Sequence, residues 1–133
     1  MTVYPISRSR HKTRAMVRAL RKAGVVVSWD RTKGTKRTYT DDDSEIAFRD
    51  FKAAATSDAV LMAWCPGMKD AYTEMGIALA SRVRVVVYGC PDKGVGYDNP
   101  RNDNIFLRLW NVIHFDTLGM AILYLETQKG YHR

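Results

Sequence analysis

The chain has few of the residues that bind metals or build disulfide frameworks. It holds two cysteines and three histidines in 133 residues, and Cys65, Cys90, His11, His114 and His132 form no metal-ligand spacing. We therefore expect neither a metal site nor a cofactor. Each cysteine follows an apolar, strand-like run in a chain without an export signal, so we expect free thiols of a reducing cytoplasm rather than a disulfide.

Long hydrophobic runs are also missing. No segment approaches the roughly 18–20 apolar residues that cross a bilayer, so a membrane partner is not expected. The opening residues 1–6 have the pattern of a strand and not of a signal peptide. There is no internal repeat, low-complexity tract or linker, so we expect one cytoplasmic domain over residues 1–133.

Acidic residues are scarce in the first third of the chain. The sequence has 21 Lys and Arg against 14 Asp and Glu, a net charge of +7, and eleven of those cations lie between Arg8 and Arg37, where Asp30 is the only acid. Such a field attracts anions, among them nucleotide phosphates and nucleic acid. A solvated helix face followed by a basic loop explains the pattern equally well. Without a helix-turn-helix, RNA-recognition or zinc motif, nucleic acid is the less favoured partner.

Strand and helix patterns alternate along the chain. The predicted strands are Thr2–Ile6, Val25–Trp29, Ala59–Ala63, Val83–Tyr88 and Val112–Phe115. The predicted helices are Arg10–Ala23 with Gly24 as its cap, Glu45–Thr56 after the acids Asp41–Asp43, a helix carrying Glu74, and Thr117–Glu126. Asp30–Tyr39 and Gly89–Asp103 are predicted loops, and Ile105–Trp110 a helical turn.

This order predicts an α/β fold. Five strands separated by helices form a parallel sheet that is covered on both faces, and continuous valine runs are typical of strands buried on both sides. With right-handed crossovers we expect a three-layer α/β/α sandwich of flavodoxin-like (Rossmann-like) topology with a five-stranded parallel sheet.

Glu74 is the most informative single residue. The strand Ala59–Ala63 is followed by Trp64, the residues Cys65–Gly67 break the chain, and a helix of small residues then carries Glu74 in its first turns. Free N–H groups and the helix dipole favour negative charge there, and open α/β sheets bind ligands at this edge. A surface glutamate that simply favours the helix is the alternative interpretation.

Other polar residues are expected to meet Glu74. The carboxyl ends of the first, third and fourth strands converge on one crevice, which would hold the segments Tyr4–Arg8 and Trp64–Glu74, with Asp50 on the preceding helix. Two carboxylates, a tyrosine and a basic loop suit glycosidic chemistry, in which one carboxylate attacks the anomeric carbon and the other assists.

Several segments carry a family resemblance in the right order. They are Val3–Tyr4 with Ser7–Arg8, Arg49–Phe51 leading to Thr56–Val60, Tyr72–Ala80, Arg84–Val87, and Asn104–Phe106 with Ile113–Asp116. Together they resemble the nucleoside 2-deoxyribosyltransferase family, which includes 2'-deoxynucleoside 5'-monophosphate N-glycosidases and related nucleotide hydrolases. The resemblance extends over most of the chain.

The resemblance implies three catalytic residues. Glu74 would be the nucleophile that forms a covalent glycosyl-enzyme. Asp50 would lie near the departing base and assist its protonation or order the site. Tyr4 would donate a hydrogen bond that orients Glu74, because a buried carboxylate without a polar partner would pick up a proton.

Substrate contacts are expected from five further residues. By the resemblance, Ser7, Arg8 and Arg10 would hold a 5'-phosphate or sugar hydroxyls, and guanidinium groups suit phosphate. Asn104 would reach the site of a neighbouring subunit, which implies a homodimer or a larger homo-oligomer. Trp64, just past a strand end, could stack on a base, although large aromatic residues more often belong to a core.

The sequence leaves the substrate and the acceptor open. The segments Pro5–Arg10 and Met68–Ala71 lack glycines that the family often has, and a Cβ at such positions narrows a pocket. A nucleoside or a nucleoside 5'-monophosphate could be the substrate, and a second nucleobase or water could accept the sugar. Two other classes stay open: a nucleotide-binding module of the same fold without turnover, and a basic nucleic-acid-binding protein.

Overall fold

Strands and helices alternate along the chain, as the sequence predicts. The computed structural model describes residues 1–30 and 43–129. The elements are β1 (Thr2–Ser7), α1 (Arg10–Lys22), β2 (Val26–Val27), α2 (Asp43–Thr56), β3 (Ala59–Ala63), α3 (Asp70–Ala80), β4 (Arg84–Tyr88), β5 (Val112–Phe115) and α4 (Leu118–Thr127). Three short 3-10 turns, Gly96–Asp98, Pro100–Asn102 and Ile105–Arg108, lie between β4 and β5.

The five strands form one sheet in the order β2-β1-β3-β4-β5. Every pair is parallel, and β3 pairs over its full length with both β1 and β4. This is the flavodoxin-like order, whose switch point lies between β1 and β3. The predicted α/β sandwich is confirmed.

A separate core covers each face of the sheet. In β3, Val60 and Met62 pack toward α2 and α3, and Leu61 packs toward α1 and α4. Met75 of α3 and Leu20 of α1 are fully buried on their respective faces. Side chains alternate between the two faces of a strand, so the central strands are apolar at successive positions, which accounts for the continuous apolar runs in the sequence.

Local sequence signals set both ends of α1. The Ser9 side chain accepts a hydrogen bond from the Lys12 amide at the amino end, as capping serines do. Gly24 has a φ of +74° at the carboxyl end, and the Val25 amide donates to the Leu20 carbonyl at 2.9 Å. The predicted capping role of Gly24 is confirmed.

The edge strand is shorter than the sequence predicts. The valine run predicted as the strand Val25–Trp29 forms only the two-residue β2. Among the described strands β1 is its one neighbour, and Val26 is exposed. An edge strand with one neighbour has fewer ladder hydrogen bonds to extend it than a central strand, and strand propensity does not reveal the number of neighbours.

Two predictions fall partly or wholly on residues outside the described ranges. They are the basic loop Asp30–Tyr39, of which only Asp30 is described, and the capping acids Asp41 and Asp42 before α2. Among residues 1–30 and 43–129, no helix is long and apolar enough to span a bilayer.

Candidate active site

The switch point of the sheet creates the crevice at the carboxyl ends of β1 and β3. The chain leaves β1 toward α1 on one face and leaves β3 toward α3 on the other face. The two connections therefore leave the sheet toward opposite faces, at the edge where doubly wound sheets bind their ligands. Tyr4 and Arg8 come from the β1 side of this crevice, and Trp64 and Glu74 from the β3 side.

A buried pair of polar side chains lies between β1 and α3. Tyr4 is completely buried and Glu74 is 6% exposed, although 70 residues separate them in sequence. The Tyr4 hydroxyl donates a hydrogen bond to Glu74 Oε1 across 3.2 Å. A carboxylate removed from water is costly unless it is hydrogen-bonded, so this contact both holds Glu74 and fixes its orientation.

The position of Glu74 within α3 limits what the helix dipole contributes. Lys69 precedes the helix and makes no side-chain cap, and Asp70 is the acid of the first turn. Glu74 is the fifth residue of α3, whereas the dipole acts mainly on charges within the first turn. The Tyr4 hydrogen bond is therefore the larger stabilising contribution of the two.

The second carboxyl group, that of Asp50, accepts a hydrogen bond from an aromatic residue. The Trp29 indole N–H donates to Asp50 Oδ1 at 2.9 Å, and the Arg49 guanidinium lies 5.2 Å from the centre of the Trp29 ring. Because α2 packs against α3, Asp50 and Glu74 belong to neighbouring helices on the same face of the sheet. The geometry thus provides two carboxylates on one face, each fixed by an aromatic donor.

Two cations fasten the connection after β1 to the connection after β3. Arg8 Nη1 donates to the Pro66 carbonyl at 2.9 Å, and Lys12 Nζ donates to the Trp64 carbonyl at 3.5 Å. Gly67 has a φ of +79°, and a Cβ there would lie 2.6 Å from Arg8 Nη1. The positive φ favours glycine at position 67, and the Arg8 guanidinium lies against this turn of the connection after β3.

The remaining residues of the β1–α1 connection form a helix cap. Ser7 Oγ accepts a hydrogen bond from the Ser9 amide at 2.9 Å, and Ser9 caps α1. Arg10 is the first residue of α1 and is exposed. The hydroxyl of Ser7 is thus already engaged within the connection, and Arg10 lies on the outer surface beside it.

A chain of hydrogen bonds joins the end of β3 to the segment before β5. The Trp64 indole N–H donates to the Tyr72 hydroxyl at 2.8 Å, and this hydroxyl donates to Asp103 Oδ2. Burial and the bond to Asp103 raise the pKa of Tyr72 well above its usual range. Tyr72 therefore stays protonated and acts as a fixed bridge, and Trp64 is locked in one orientation at the crevice.

Asn104 has a structural role within the single chain. Its side chain accepts a hydrogen bond from the Phe106 amide at 3.0 Å and so caps the turn Ile105–Arg108. The adjacent Ile105 and Phe106 are exposed. The structure therefore places Asn104 beside exposed apolar side chains.

The sequence does not predict the contacts made by two of the residues that hold this site. The roles of Trp29 as the partner of Asp50 and of Tyr72 as a bridge emerge only from the three-dimensional contacts. The signals that could have found them are positional. Trp29 follows the second strand at the edge where ligands bind, and Tyr72 precedes Glu74 by two residues on the same helix.

The cysteines lie near the site as thiols. Cys65 is partly exposed and Cys90 is buried, and burial raises the pKa of Cys90 to about 11. Such a thiol stays protonated and is a poor nucleophile at neutral pH. In the described part of the chain no group of three or more His, Cys, Asp or Glu side chains is arranged to hold a metal ion.

Solved structures share this fold at low sequence identity. The CMP N-glycosidase BcmB of Clostridium botulinum aligns with a TM-score of 0.59 over 95% of this chain and 99% of its own, at 14% identity. A conserved protein of Enterococcus faecalis aligns with a TM-score of 0.56 over 94% of this chain and 87% of its own, at 17% identity. No family model matches the sequence, and no curated protein matches it.

These comparisons concern the fold. Coverage above nine-tenths of this chain in both alignments means that the whole α/β arrangement is shared and not only a β-α-β fragment. Identities of 14% and 17% are too low to carry residue roles across, because one fold serves many functions. The function must therefore be argued from the site itself.

Proposed function

We propose that this protein cleaves the N-glycosidic bond of a nucleoside or a nucleoside 5'-monophosphate, through a covalent intermediate between the sugar and Glu74. The observation that carries the proposal is the buried hydrogen bond from Tyr4 to Glu74 beside the switch point of the sheet. The resemblance to nucleoside 2-deoxyribosyltransferases supports it. So does the shared fold of BcmB, which is itself a CMP N-glycosidase.

In the first step the Glu74 carboxylate attacks the anomeric carbon. A bond forms between a carboxylate oxygen and that carbon while the bond from the carbon to the base nitrogen breaks, and the base leaves with the bonding electrons. The hydrogen bond from Tyr4 to Oε1 fixes the carboxylate plane. Pre-orienting a nucleophile in this way lowers the entropy cost of reaching the transition state.

Asp50 serves the departing base in this proposal. The base needs a proton as it leaves, and a carboxyl group beside it can deliver that proton or order the group that does. The Trp29 indole holds one oxygen of Asp50 at 2.9 Å. This contact fixes the position of the carboxyl group that is assigned to the base.

The sugar and its 5'-substituent bind at the β1–α1 connection. Arg8 is fixed against Pro66 and Gly67 at the mouth of the crevice, where its charge favours a phosphate. Arg10 adds positive charge at the start of α1, and Ser7 contributes its backbone turn. In this proposal Trp64, whose indole N–H donates to Tyr72, stacks on the base.

The second step releases the sugar from Glu74. Water attacking the same carbon gives a hydrolase, and the nitrogen of a second nucleobase gives a transferase. In both cases the carbon–carboxylate bond breaks and the Glu74 carboxylate is regenerated, so no cofactor is needed. We assign this complete cycle to a single domain over residues 1–133.

The direct test is chromatographic detection of free base. Wild type and Glu74→Gln are incubated with deoxynucleosides, ribonucleosides and their 5'-monophosphates, with and without a second free base. We expect wild type to release base and the variant to release none. Release only from monophosphates assigns Arg8 to the phosphate, and a new nucleoside formed from the second base identifies a transferase.

A matched control separates the effect of losing the nucleophile from the effect of losing one negative charge. Glu126→Gln removes the same charge from an exposed position on α4 and is expected to leave base release unchanged. Intact-protein mass spectrometry of a stalled reaction should show a sugar adduct that maps to Glu74. Undiminished release by Glu74→Gln, or an adduct on another residue, contradicts the proposal.

A nucleotide-binding module without turnover is the second candidate, favoured by one observation. Met68, just before α3, and Ala71, in its first turn, are buried in the core, so apolar side chains occupy two positions of a segment in which the resembling family often has glycines. Thermal stabilisation by a nucleotide with no base release from any substrate would favour this candidate.

We also propose a homodimer or larger homo-oligomer. Three apolar side chains are exposed close to Asn104, the residue that caps the turn Ile105–Arg108; they are Ile105, Phe106 and Leu109. Clustered apolar side chains on a surface mark protein contacts. Sedimentation of wild type should give at least twice the monomer mass of 15.1 kDa. Phe106→Glu is expected to shift the protein toward the monomer, and a monomeric wild type contradicts the assignment.

A further inference from the structure

A second pocket lies at the opposite edge of the sheet from Glu74. It encloses about 480 Å³ and is lined by residues at the end of α3, at the start of β4, just before β5 and on α4. Ligand pockets in proteins typically measure roughly 300–1,000 Å³, so it has room for a small organic molecule. Arg82, Arg84, Trp110, Asn111 and Tyr124 give it a chemical character of its own.

Arg82 occupies a backbone position that favours glycine. Its φ is +61°, and it is the only non-glycine residue with a positive φ in the described ranges. It follows α3 in a left-handed helix-ending turn, in which the Val83 amide donates to the Ala78 carbonyl at 2.8 Å. The equivalent residue after α1 is Gly24, which adopts the same conformation without steric cost.

This difference between equivalent positions indicates a role for the Arg82 side chain. A side chain in the left-handed region destabilises the native state relative to glycine, so the backbone conformation by itself favours glycine at position 82. The exposed guanidinium at the rim of the pocket supplies a reason to keep arginine. Strained backbone found in a structure is a pointer to function.

Arg84 places a second guanidinium in the same pocket. Its Nη1 donates to Gln128 Oε1 at 2.7 Å, and its guanidinium lies 5.9 Å from the centre of the Tyr124 ring. These contacts hold the side chain in one orientation, so less freedom is lost when it binds an anion. None of the described residues that line the pocket is acidic, so the local field favours a negatively charged ligand.

Trp110 adds an aromatic surface beside the two arginines. Its side chain is 92% exposed, although tryptophan is normally highly buried. An exposed indole stacks on nucleobases with an energy that hardly depends on the base. The neighbouring Asn111 carries both a donor and an acceptor, which suits the polar edge of a base.

We propose that this pocket is a second ligand site that binds a mononucleotide. The base stacks on Trp110 and the phosphate lies between Arg82 and Arg84. The site is separate from the Glu74 crevice, and its existence does not depend on the proposed N-glycosidic activity. A nucleotide bound there would act as a regulatory ligand and not as the substrate.

The three tryptophans allow both sites to be observed in one experiment. Trp29 and Trp64 report on the Glu74 crevice and Trp110 on the second pocket, so three indole N–H signals in a ¹⁵N-labelled protein separate the two. Adenosine 5'-monophosphate, adenosine and inorganic phosphate are titrated into wild type, and into Glu74→Gln to prevent turnover. We expect saturable movement of the Trp110 signal with the monophosphate, and at least tenfold weaker binding of adenosine and of phosphate.

Arg82→Gly is the decisive variant. We expect the affinity measured at the Trp110 signal to fall at least tenfold, while the melting temperature stays the same or rises. Arg18→Gly on the exposed surface of α1 is the charge-matched control and should leave the Trp110 titration unchanged.

Three results would overturn the proposal: a Trp110 signal that does not move at millimolar monophosphate, equal binding by Arg82→Gly, or a fall in melting temperature that reveals a purely structural Arg82. Failure of the proposed N-glycosidic function would be detected separately, as an absence of base release and as indole signals of Trp29 and Trp64 that do not move with nucleotide.

Discussion

The two faces of the sheet are covered by different kinds of core. Beneath α1 and α4, Leu20 and Leu61 are among the largest buried side chains, and the buried polar residue described on α1 is the uncharged Thr13. Beneath α2 and α3, the cluster includes the phenol of Tyr4, and the carboxyl of Glu74 is buried beside it. The same strands supply both faces, because alternate residues point in opposite directions.

The difference between the two faces separates residues that stabilise the fold from residues that are proposed to take part in the reaction. Burying ionisable groups brings a desolvation cost that an apolar side chain of similar size avoids, so the α2–α3 face is less favourable for folding than an apolar core would be. An arrangement that costs stability and also holds a hydrogen-bonded carboxylate near a crevice is typical of a functional site. Substitutions on the two faces should therefore affect different measurements.

The largest effect is expected from Glu74→Gln, which keeps the shape and removes the nucleophilic charge. We expect base release to fall by at least about a thousandfold, or about 4 kcal/mol of transition-state stabilisation. The melting temperature should stay equal or rise, because a buried charge is neutralised. Loss of folding together with activity would mean that the carboxylate is structural and would abolish the distinction between the faces.

On the opposite face, Leu61→Ala should reduce stability and leave chemistry intact. Leu61 is fully buried in β3, and removing such a side chain typically costs about 2–5 kcal/mol. Urea unfolding should show this loss, whereas base release per folded molecule should match wild type. A strong loss of activity in the folded fraction would show that the apolar face also shapes the site.

Tyr4→Phe tests the hydrogen bond that defines the α2–α3 face. A hydrogen bond to a charged group is worth roughly 1.5–3 kcal/mol, so we expect kcat to fall about tenfold to a hundredfold with little change in KM. Steady-state kinetics on the preferred substrate would measure both constants. Unchanged kcat would remove Tyr4 from the mechanism and leave it as a core residue.

The variant Arg82→Gly tests the residue that follows α3 against its counterpart after α1, a helix on the opposite face of the sheet. Because Gly24 follows α1 and Arg82 follows α3, both with positive φ, glycine at position 82 should stabilise the fold by about 1 kcal/mol. Chemical denaturation would measure the gain. The control is Gly24→Ala, which should destabilise by a similar amount, and a loss of stability in Arg82→Gly would contradict the backbone argument.

Sequence patterns predict the bounds of one edge strand and miss those of the other. The predicted strands Ala59–Ala63, in the centre of the sheet, and Val112–Phe115, which forms the edge strand β5, have the observed bounds, since apolar runs ending at polar or turn-forming residues define them locally. The strand Val25–Trp29 shrinks to Val26–Val27, which pair with the first residues of β1. Strand propensity does not record which residues find a partner in the neighbouring strand.

In the candidate site, too, local sequence patterns do not predict contacts between side chains that are distant in the chain. The resemblance brings Tyr4 and Glu74 together, and the structure places their side chains in contact, although their catalytic roles stay a prediction. The contact of Trp29 with Asp50 could not be predicted, because it depends on the angle at which α2 crosses the sheet. Side-chain packing between helices sets that angle, and no short motif records it.

The smallest effect is expected from a titration on the α2–α3 face. His114 pairs in register with Val87, its Nε2 lies 2.7 Å from the Leu107 carbonyl, and in the described residues its buried Nδ1 has no hydrogen-bond partner. Burial lowers the pKa of His114 below its usual 6.5. The unfolded chain therefore takes up this proton at a higher pH than the native state does.

A native pKa below the unfolded pKa gives stability that is complete above pH 6.5 and is lost as the pH falls through the native value. We expect urea midpoints of wild type to fall from pH 7 to pH 5.5, and those of His114→Asn to fall less. His11→Asn, which changes an exposed histidine on α1, should behave like wild type. If the urea midpoints of wild type and His114→Asn fall equally with pH, the α2–α3 face tolerates a charge at position 114.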